Sequence, residues 1–336
     1  MTNAAIGEML AIAAQKETGV RQKAFRRAAR SHLLWPEEAA DLLASDRSLT
    51  ELQSVGPFLA SEIARWLEEP PARRRARDPL RRDFLTLAEA RRILATDPSW
   101  STRIRGDLQM HSNWSDGSGR VSEMAQAASA LEYEYIAITD HAKGLKIAGG
   151  IDETQLAEQA REIAAVNREQ TGQGVTVLQA IELNLNPQGA GDLEPKTLAK
   201  LDLVLGSFHS ALRKDEDQTA RYLAALRNPD LHILGHPRGR VFNYRLGLSA
   251  DWPRVFAEAT ARDKAVEIDC YPDRQDLNVE LLKLARAAGT RVSLGTDAHH
   301  PWQLEFIEFG LAAALKAKIP AERIVNFLPL AELRAW

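Results

Sequence analysis

The sequence predicts an α/β protein, a seven-stranded (β/α) barrel preceded by a small N-terminal all-α domain. Three observations carry this. From Arg103 onward, short β-rich runs alternate with longer amphipathic ones. The first hundred residues show helical spacing alone. Five of the eight histidines stand at the C-terminal end of an expected strand or just beyond it.

Taken in order, apolar residues recur at helix spacing through Ile6 to Ala14, Ala24 to Leu34 and Ala39 to Leu43, with Pro36 restarting the chain after a turn. Pro70 to Pro79, PPARRRARDP, joins breaker pairs to an arginine run and predicts a solvated basic connector. The β-rich runs are Ile104 to Met110, Tyr135 to Thr139, Val175 to Ile181, Leu203 to Phe208, Leu231 to Leu234, Ala265 to Ile268 and Arg291 to Leu294. Helices are expected between most of them, at Val121 to Leu131, Glu153 to Glu169, Gln218 to Leu226, Trp252 to Arg262, Val279 to Ala288 and Leu304 to Lys316. Strand and helix in alternation imply a parallel sheet, because parallel neighbours need a crossover. A closed or nearly closed barrel accommodates seven such units, with an open doubly wound sheet as the alternative. The first strand-to-helix turn, HSNWSDGSGR, lacks the GxGxxG of a dinucleotide site.

Composition narrows the function. A formal net charge of -3 over 336 residues gives no global cationic field, so an anionic partner must meet a local patch. No stretch approaches the ~20 apolar residues of a membrane helix, and the N-terminus lacks the order of a signal peptide, so a cytoplasmic protein is expected. Cys270 is the only cysteine, which excludes an intramolecular disulfide and a thiolate-cluster zinc site. Any metal must be held by histidines and carboxylates.

The strand-end histidines are His111 in DLQMHS, His141 in AITDH, His209 in GSFHS, His236 in ILGHP and His299 in GTDAH. Asp116, Glu182 and Asp297 occupy equivalent positions. In a barrel the C-terminal strand ends converge on one face, so these distant residues can meet. Imidazole and carboxylate suit Zn, Mn and Fe, and a carboxylate can bridge two ions. Divalent ions make water nucleophilic near neutral pH and stabilise a leaving oxygen, which points to hydrolysis. His32, His232 and His300 lack the strand-end placement and are expected to be structural or exposed, and Asp140 to orient a ligand or close a turn.

The motifs GDLQMHSNWSDG, AITDH, AIELN, GSFHS, LGHP and LGTDAHH, in this order, resemble the PHP (polymerase and histidinol phosphatase) family over about residues 103 to 336. That resemblance implies a distorted seven-stranded (β/α) barrel with three divalent ions, Mn, Zn or Fe, and hydrolysis of phosphate esters. It would place His111, Glu182 and Asp297 on one ion, Glu182 with His209 and His236 on a second, and Asp116, His141 and His299 on a third. The first motif, usually His-x-His, is Gln109-Met110-His111 here, and an amide oxygen is a weaker ligand than imidazole. GDLQ-x-HS, IAGG at 147 to 150, EIDCYPDRQDL at 267 to 277 and DQT at 217 to 219 are similar to the PHP domain attached to bacterial family X DNA polymerases. The resemblance therefore implies processing of DNA ends, including 3′-to-5′ exonuclease action.

A family X polymerase also needs a nucleotidyltransferase palm with paired aspartates, which residues 1 to 100 lack, so a complete polymerase is not expected. Leu52 to Glu69, LQSVGPFLASEIARWLEE, looks like a helix-hairpin-helix, either binding DNA phosphates through backbone N–H groups or merely structural. Ser54 stands where that motif has its first glycine. Arg238 and Lys143, close in sequence to His236 and His141, are the candidate catalytic cations for substrate phosphate. Lys146, Arg213 and Arg240 are further basic residues in these loops. The leading expectation is a metal-dependent phosphoesterase acting on DNA ends. The alternatives are a small-molecule phosphatase of histidinol-phosphatase type and a non-catalytic, metal-stabilised DNA-binding module. Sequence sets no oligomeric state.

Overall fold

The computed structural model describes residues 1–70, 78–169 and 174–336. Most of the expected basic connector, residues 71–77, lies outside them. Five helices come first: α1 (Asn3–Lys16), α2 (Gly19–Ser31), α3 (Ala39–Ala44), α4 (Pro57–Glu68) and α5 (Leu87–Leu94). Then β1 (Gly106–Met110), α6 (Val121–Ala130), β2 (Tyr135–Ile138), α7 (Glu153–Glu169), β3 (Thr176–Asn184), α8 (Pro195–Leu198), β4 (Leu203–Ser207), α9 (Thr219–Arg227) and β5 (Ile233–Leu234) follow. The chain ends with α10 (Trp252–Ala261), β6 (Ala265–Asp269), α11 (Val279–Ala288), β7 (Arg291–Gly295), α12 (Ile307–Ala317) and α13 (Leu330–Ala335).

The seven strands form one parallel sheet in sequence order, as the alternation predicts. The sheet curls into a nearly closed barrel whose last seam is irregular. Above it, His111 N–H donates to Ala298 O at 2.8 Å and Asp297 N–H to Gln109 O at 3.1 Å. Below it, Asn326 replaces a ladder. Its Nδ2 donates to Gly106 O at 2.9 Å and Leu294 O at 2.8 Å, and its Oδ1 accepts from Leu294 N–H at 2.7 Å.

Two strands differ from expectation for local reasons. β3 runs to Asn184, past the expected end at Ile181, because β4 pairs with it as far as Asn184 opposite Ser207, while a His141–Glu182 bridge holds its other edge. That extension carries Glu182 into the sheet. β5 begins at Ile233 because the His232 ring takes up the preceding position, its Nδ1 accepting Val204 N–H at 3.0 Å. His232 is thus structural, as expected.

Leu108, Tyr135, Ala137, Leu178, Ala180, Leu203, Leu205, Ile233 and Ala265 fill the lower barrel, with Val325 and Leu333 closing its base. Intervening residues such as Val204, Val266 and Val292 pack outward against the helices. β1 breaks this alternation. Its register shifts between Asp107 and Met110, and Met110 packs outward with Val121 and Met124. Such a bulge re-aims the residues that follow it, and here Gln109 and His111 turn toward the barrel axis.

Helices α1 to α4 enclose their own core around Ile6, Leu10, Phe25, Trp35, Leu42, Leu59 and Ile63. They meet the barrel beside the β5–α10 loop, where Phe84 and Phe242 stack edge to face at 5.2 Å and Asn243 N–H donates to Leu80 O at 2.8 Å. Arg81, almost fully buried, bonds Glu8 at 2.7 Å and Asn243 Oδ1 at 2.6 Å. α5 is instead tied to α12 by Arg91–Glu308 at 2.9 Å and Lys316–Glu89 at 2.8 Å. At the hairpin-like segment Ser54 adopts φ 65°, the left-handed conformation that favours glycine, and Gly56 caps α4 with Pro57 at its first position. No helix among the described residues is long and apolar enough to cross a membrane.

Candidate metal centre

Four of the eight leading candidates, His111, His141, His209 and His236, surround a fifth, the fully buried Glu182, and Asp297, His299 and Asp116 complete the group. The two carboxylate oxygens of Glu182 divide the histidines between them. Oε1 lies 2.6 Å from His236 Nε2 and 3.2 Å from His209 Nε2. Oε2 lies 3.0 Å from His141 Nδ1 and 3.4 Å from His111 Nε2. His111 Nε2 is also 3.0 Å from Asp297 Oδ1. Asp116 Oδ1 faces His299 Nε2 at 3.4 Å and His141 Nε2 at 3.6 Å.

Three local devices aim these groups. Gly117 allows the first loop to fold back, since a Cβ there would come within 2.7 Å of His111 and Ser112 backbone atoms. Asp297 holds φ 51°, a left-handed conformation uncommon outside glycine, at the turn after β7. Asp140 closes the turn after β2 rather than orienting a ring, accepting from Ser112 N–H at 2.8 Å, Ser112 Oγ at 2.6 Å and Gln159 Nε2 at 2.6 Å. His209 is oriented by Asn184, its Nδ1 3.1 Å from Asn184 Oδ1.

Ligand atoms converge in three groups, each within 4.8 Å: His111 with Asp116, His141 and His299; His141 with Glu182 and His209; and His111 with Glu182 and Asp297. Hydrogen bonding alone leaves this set incomplete. His141 Nδ1 and Glu182 Oε2 face each other closely, yet neither makes a hydrogen bond, and His111 Nδ1 and His236 Nδ1 are likewise buried without partners. Buried polar atoms are ordinarily satisfied, and a set of imidazole and carboxylate donors left in this state fits divalent cations.

The charges interlock. Burial opposes ionisation of Glu182, but His141, His209 and His236 outweigh it and hold the carboxyl well below its usual range. Burial would lower His236, yet Glu182 drives it up to about 10. His299 is likewise lowered by burial and raised further by Asp116 and Asp297, reaching about 9. Burial keeps His209 below its usual value despite Glu182.

Gln109 is placed differently. Its buried amide faces Glu267 on β6, donating to Oε2 at 3.0 Å in the orientation that satisfies both groups. Lys143 is exposed and paired with Glu153 at 2.7 Å. Arg238 donates from its guanidinium to Leu246 O at 2.8 Å. Sequence reasoning missed Arg274. Burial opposes its charge, but Asp297, Asp269, Asp273 and Glu182 raise its pKa, and among the described residues its guanidinium makes no hydrogen bond and no ion pair within 4.0 Å. The available signal was a cation five residues past the end of β6, inside EIDCYPDRQDL. Cys270 is a wall residue, buried against Gly310.

Residues 107–270 match the PHP domain family. Over those residues, just under half of its length, the chain is similar to that family. Its relatives include the DNA polymerase/3′-5′ exonuclease PolX of Bacillus subtilis, 35% identical over 235 residues, 70% of this chain and 41% of that protein. A protein named "Probable phosphatase" from Caldicellulosiruptor bescii is 26% identical over 46% of this chain and 65% of its own length. The chain thus spans less than two thirds of either relative. Among solved structures, a Lactococcus lactis histidinol phosphate phosphatase complexed with zinc, L-histidinol and phosphate aligns over 64% of this chain and 94% of its own, with 17% identity and TM-score 0.46.

Proposed function

We propose that the barrel is a PHP domain that hydrolyses phosphate esters with up to three divalent ions, and that its substrate is the end of a DNA strand, cleaved 3′ to 5′ or trimmed by a related reaction. The observation that carries this is Glu182, whose two oxygens each face a different pair of histidines, the arrangement a bridging carboxylate requires. His111, Glu182 and Asp297 would hold one ion, Glu182 with His209 and His236 a second, and Asp116, His141 and His299 a third. Gln109 is assigned to the wall, since Glu267 engages its amide. The chemistry divalent ions supply at such a centre is activation of water near neutral pH and neutralisation of charge on phosphoryl oxygens.

The chain's own groups do the rest. Arg274, unpaired and facing the acidic cluster, is assigned to a non-bridging phosphate oxygen, where a planar guanidinium matches the oxygen pair. Arg238 and Lys143 are already engaged by Leu246 O and Glu153, and are assigned to flanking phosphates. Residues 101–336 form the catalytic unit, and residues 1–100, with the hairpin-like segment at 52–69, position substrate beside it. In this reading the protein is cytoplasmic.

The similarity to the phosphatase-named protein favours a second reading, a small phosphate monoester as substrate. One assay separates the two. Metal-reconstituted protein is given single-stranded DNA, 3′-phosphorylated DNA and histidinol phosphate, alongside His209→Ala. Turnover of DNA, lost in the variant, is the expected result. Turnover of histidinol phosphate alone rejects the DNA assignment, and an equally active variant rejects the metal assignment.

A further inference from the structure

Helix α2, GVRQKAFRRAARS, carries five cations, Arg21, Lys23, Arg26, Arg27 and Arg30, and no carboxylate, in a chain of net charge -3. Lys23, Arg26, Arg27 and Arg30 fall at i, i+3, i+4 and i+7, and therefore line one face. The opposite face, Phe25, Ala28 and Ala29, is buried in the N-terminal core. All four cations are exposed. Like charges at these spacings destabilise a helix, and elsewhere on the surface cations are commonly paired, as in Lys143–Glu153, Lys214–Glu216 and Arg227–Glu258. Among the described residues the α2 stripe has one ion pair, Arg30 with Asp273 at 3.3 Å.

That pair gives the stripe a direction. Asp273 precedes Arg274, so the pair brings the C-terminal end of α2 to the loop whose Arg274 interacts with Asp297 and Glu182. Positive charge continues there. Arg213, in the loop after β4, has no carboxylate within 4.0 Å among the described residues and lies over the exposed Tyr244 ring at 4.7 Å. At the other end, Arg21 lies over the half-exposed Phe58, second residue of α4, at 5.1 Å.

We propose that the α2 stripe is a rail for the phosphodiester backbone of a nucleic-acid strand whose end lies in the metal centre, a proposal that rests on the nuclease reading above. The four stripe residues cover about 10 Å of helix axis, room for about three phosphates at ~3.4 Å per nucleotide along one strand. Cations without acidic neighbours attract a polyanion without reading its sequence. An anionic membrane is disfavoured, since a helix lying on lipid needs an exposed apolar face and this one is buried within the protein.

The test is Lys23→Gln, Arg26→Gln and Arg27→Gln combined in the full chain, with Arg30 kept for its contact to Asp273. Glutamine preserves helix propensity, and thermal unfolding with hydrolysis of bis(p-nitrophenyl) phosphate reports on fold and site. Binding of a fluorescent oligonucleotide is followed by anisotropy across a salt series. The expected result is unchanged chromogenic hydrolysis, affinity weaker on the order of tenfold, and a salt slope reduced by about two to three. An unchanged slope overturns the rail. So does loss of binding to phosphatidylserine vesicles with oligonucleotide binding intact. Wild-type protein that cleaves the chromogenic diester but binds no oligonucleotide overturns the rail while leaving a phosphoesterase. Protein that binds DNA through the stripe but hydrolyses nothing after metal loading upholds the rail and rejects the nuclease reading.

Discussion

Glu182 Oε1 lies 2.6 Å from His236 Nε2, while its other oxygen lies 3.0 Å from His141 Nδ1 on the opposite side. One carboxylate on the extended end of β3 therefore links strands on both sides of the barrel mouth. Glu182→Gln keeps the shape and removes the charge. We expect metal affinity and phosphoesterase turnover to fall on the order of 100-fold or more, since even outer partners of a metal site typically cost 10–100-fold. Metal stoichiometry by elemental analysis should fall with activity. Full occupancy with full activity would reject Glu182 as a bridge.

Proton release should accompany metal loading. His236, at about 10, and His299, at about 9, carry protons at neutral pH in the metal-free protein because neighbouring carboxylates outweigh their burial. A ligating imidazole must be neutral, so binding displaces those protons. Raising pH toward these values therefore favours loading, by up to about tenfold in affinity per proton per pH unit. Titrations of Mn²⁺ or Zn²⁺ between pH 6 and 9 should show this slope, and calorimetry in buffers of different ionisation enthalpy should show proton uptake by buffer. Affinity independent of pH across that range would contradict the charge arrangement.

The barrel and the convergence of the strand-end histidines and carboxylates are legible in sequence because both rest on local period: alternation of strand and helix fixes the parallel sheet, and a histidine following a β-rich run lands on the shared face. What is not legible depends on partners distant in sequence. Gln109 shares an inward face with His111, yet Glu267 on β6 claims its amide. Lys143 looked available beside His141, but Glu153 pairs with it from α7. Arg274 acquires meaning only once Asp297 and Glu182 converge near it. The α2 stripe, read in sequence only as a helical stretch, gains its meaning from the Arg30–Asp273 contact across 243 positions.

Asp107 offers a test of the barrel itself. It is buried, and that burial pushes its carboxyl up to about 7, even though Gln109 N–H, Thr296 N–H and Thr296 Oγ donate to it. A carboxyl raised in the folded state binds its proton more tightly there than in the unfolded chain. Its stabilising contribution is complete below the unfolded value near 4 and is lost as pH rises through about 7. Asp107→Asn removes the ionisation. The variant should be close to wild type near pH 4 and more stable above pH 7, by on the order of 1 kcal/mol or more. Chemical denaturation at both pH values measures this, and a variant less stable than wild type at pH 8 would show that the carboxylate is worth more than its burial costs.

The contact between α12 and the barrel is tight at one glycine. A Cβ at Gly310 would collide with Cys270 Sγ and sit 3.0 Å from Leu294 Cδ2 and 3.3 Å from Ile268 Cγ2. Gly310→Ala therefore gains the intrinsic helix preference of alanine, about 1 kcal/mol, but overpacks a close-packed interface, which typically costs about 1–3 kcal/mol. We expect net destabilisation or near neutrality in the single variant. Cys270→Ala removes the colliding sulfur and leaves a small cavity, which the new methyl group can partly fill. The double variant should accordingly be more stable than the sum of the two single changes, with a coupling of about 0.5–3 kcal/mol. Strict additivity in denaturant midpoints would show that α12 shifts outward to admit the methyl group, and that Cys270 does not set the spacing between helix and strand.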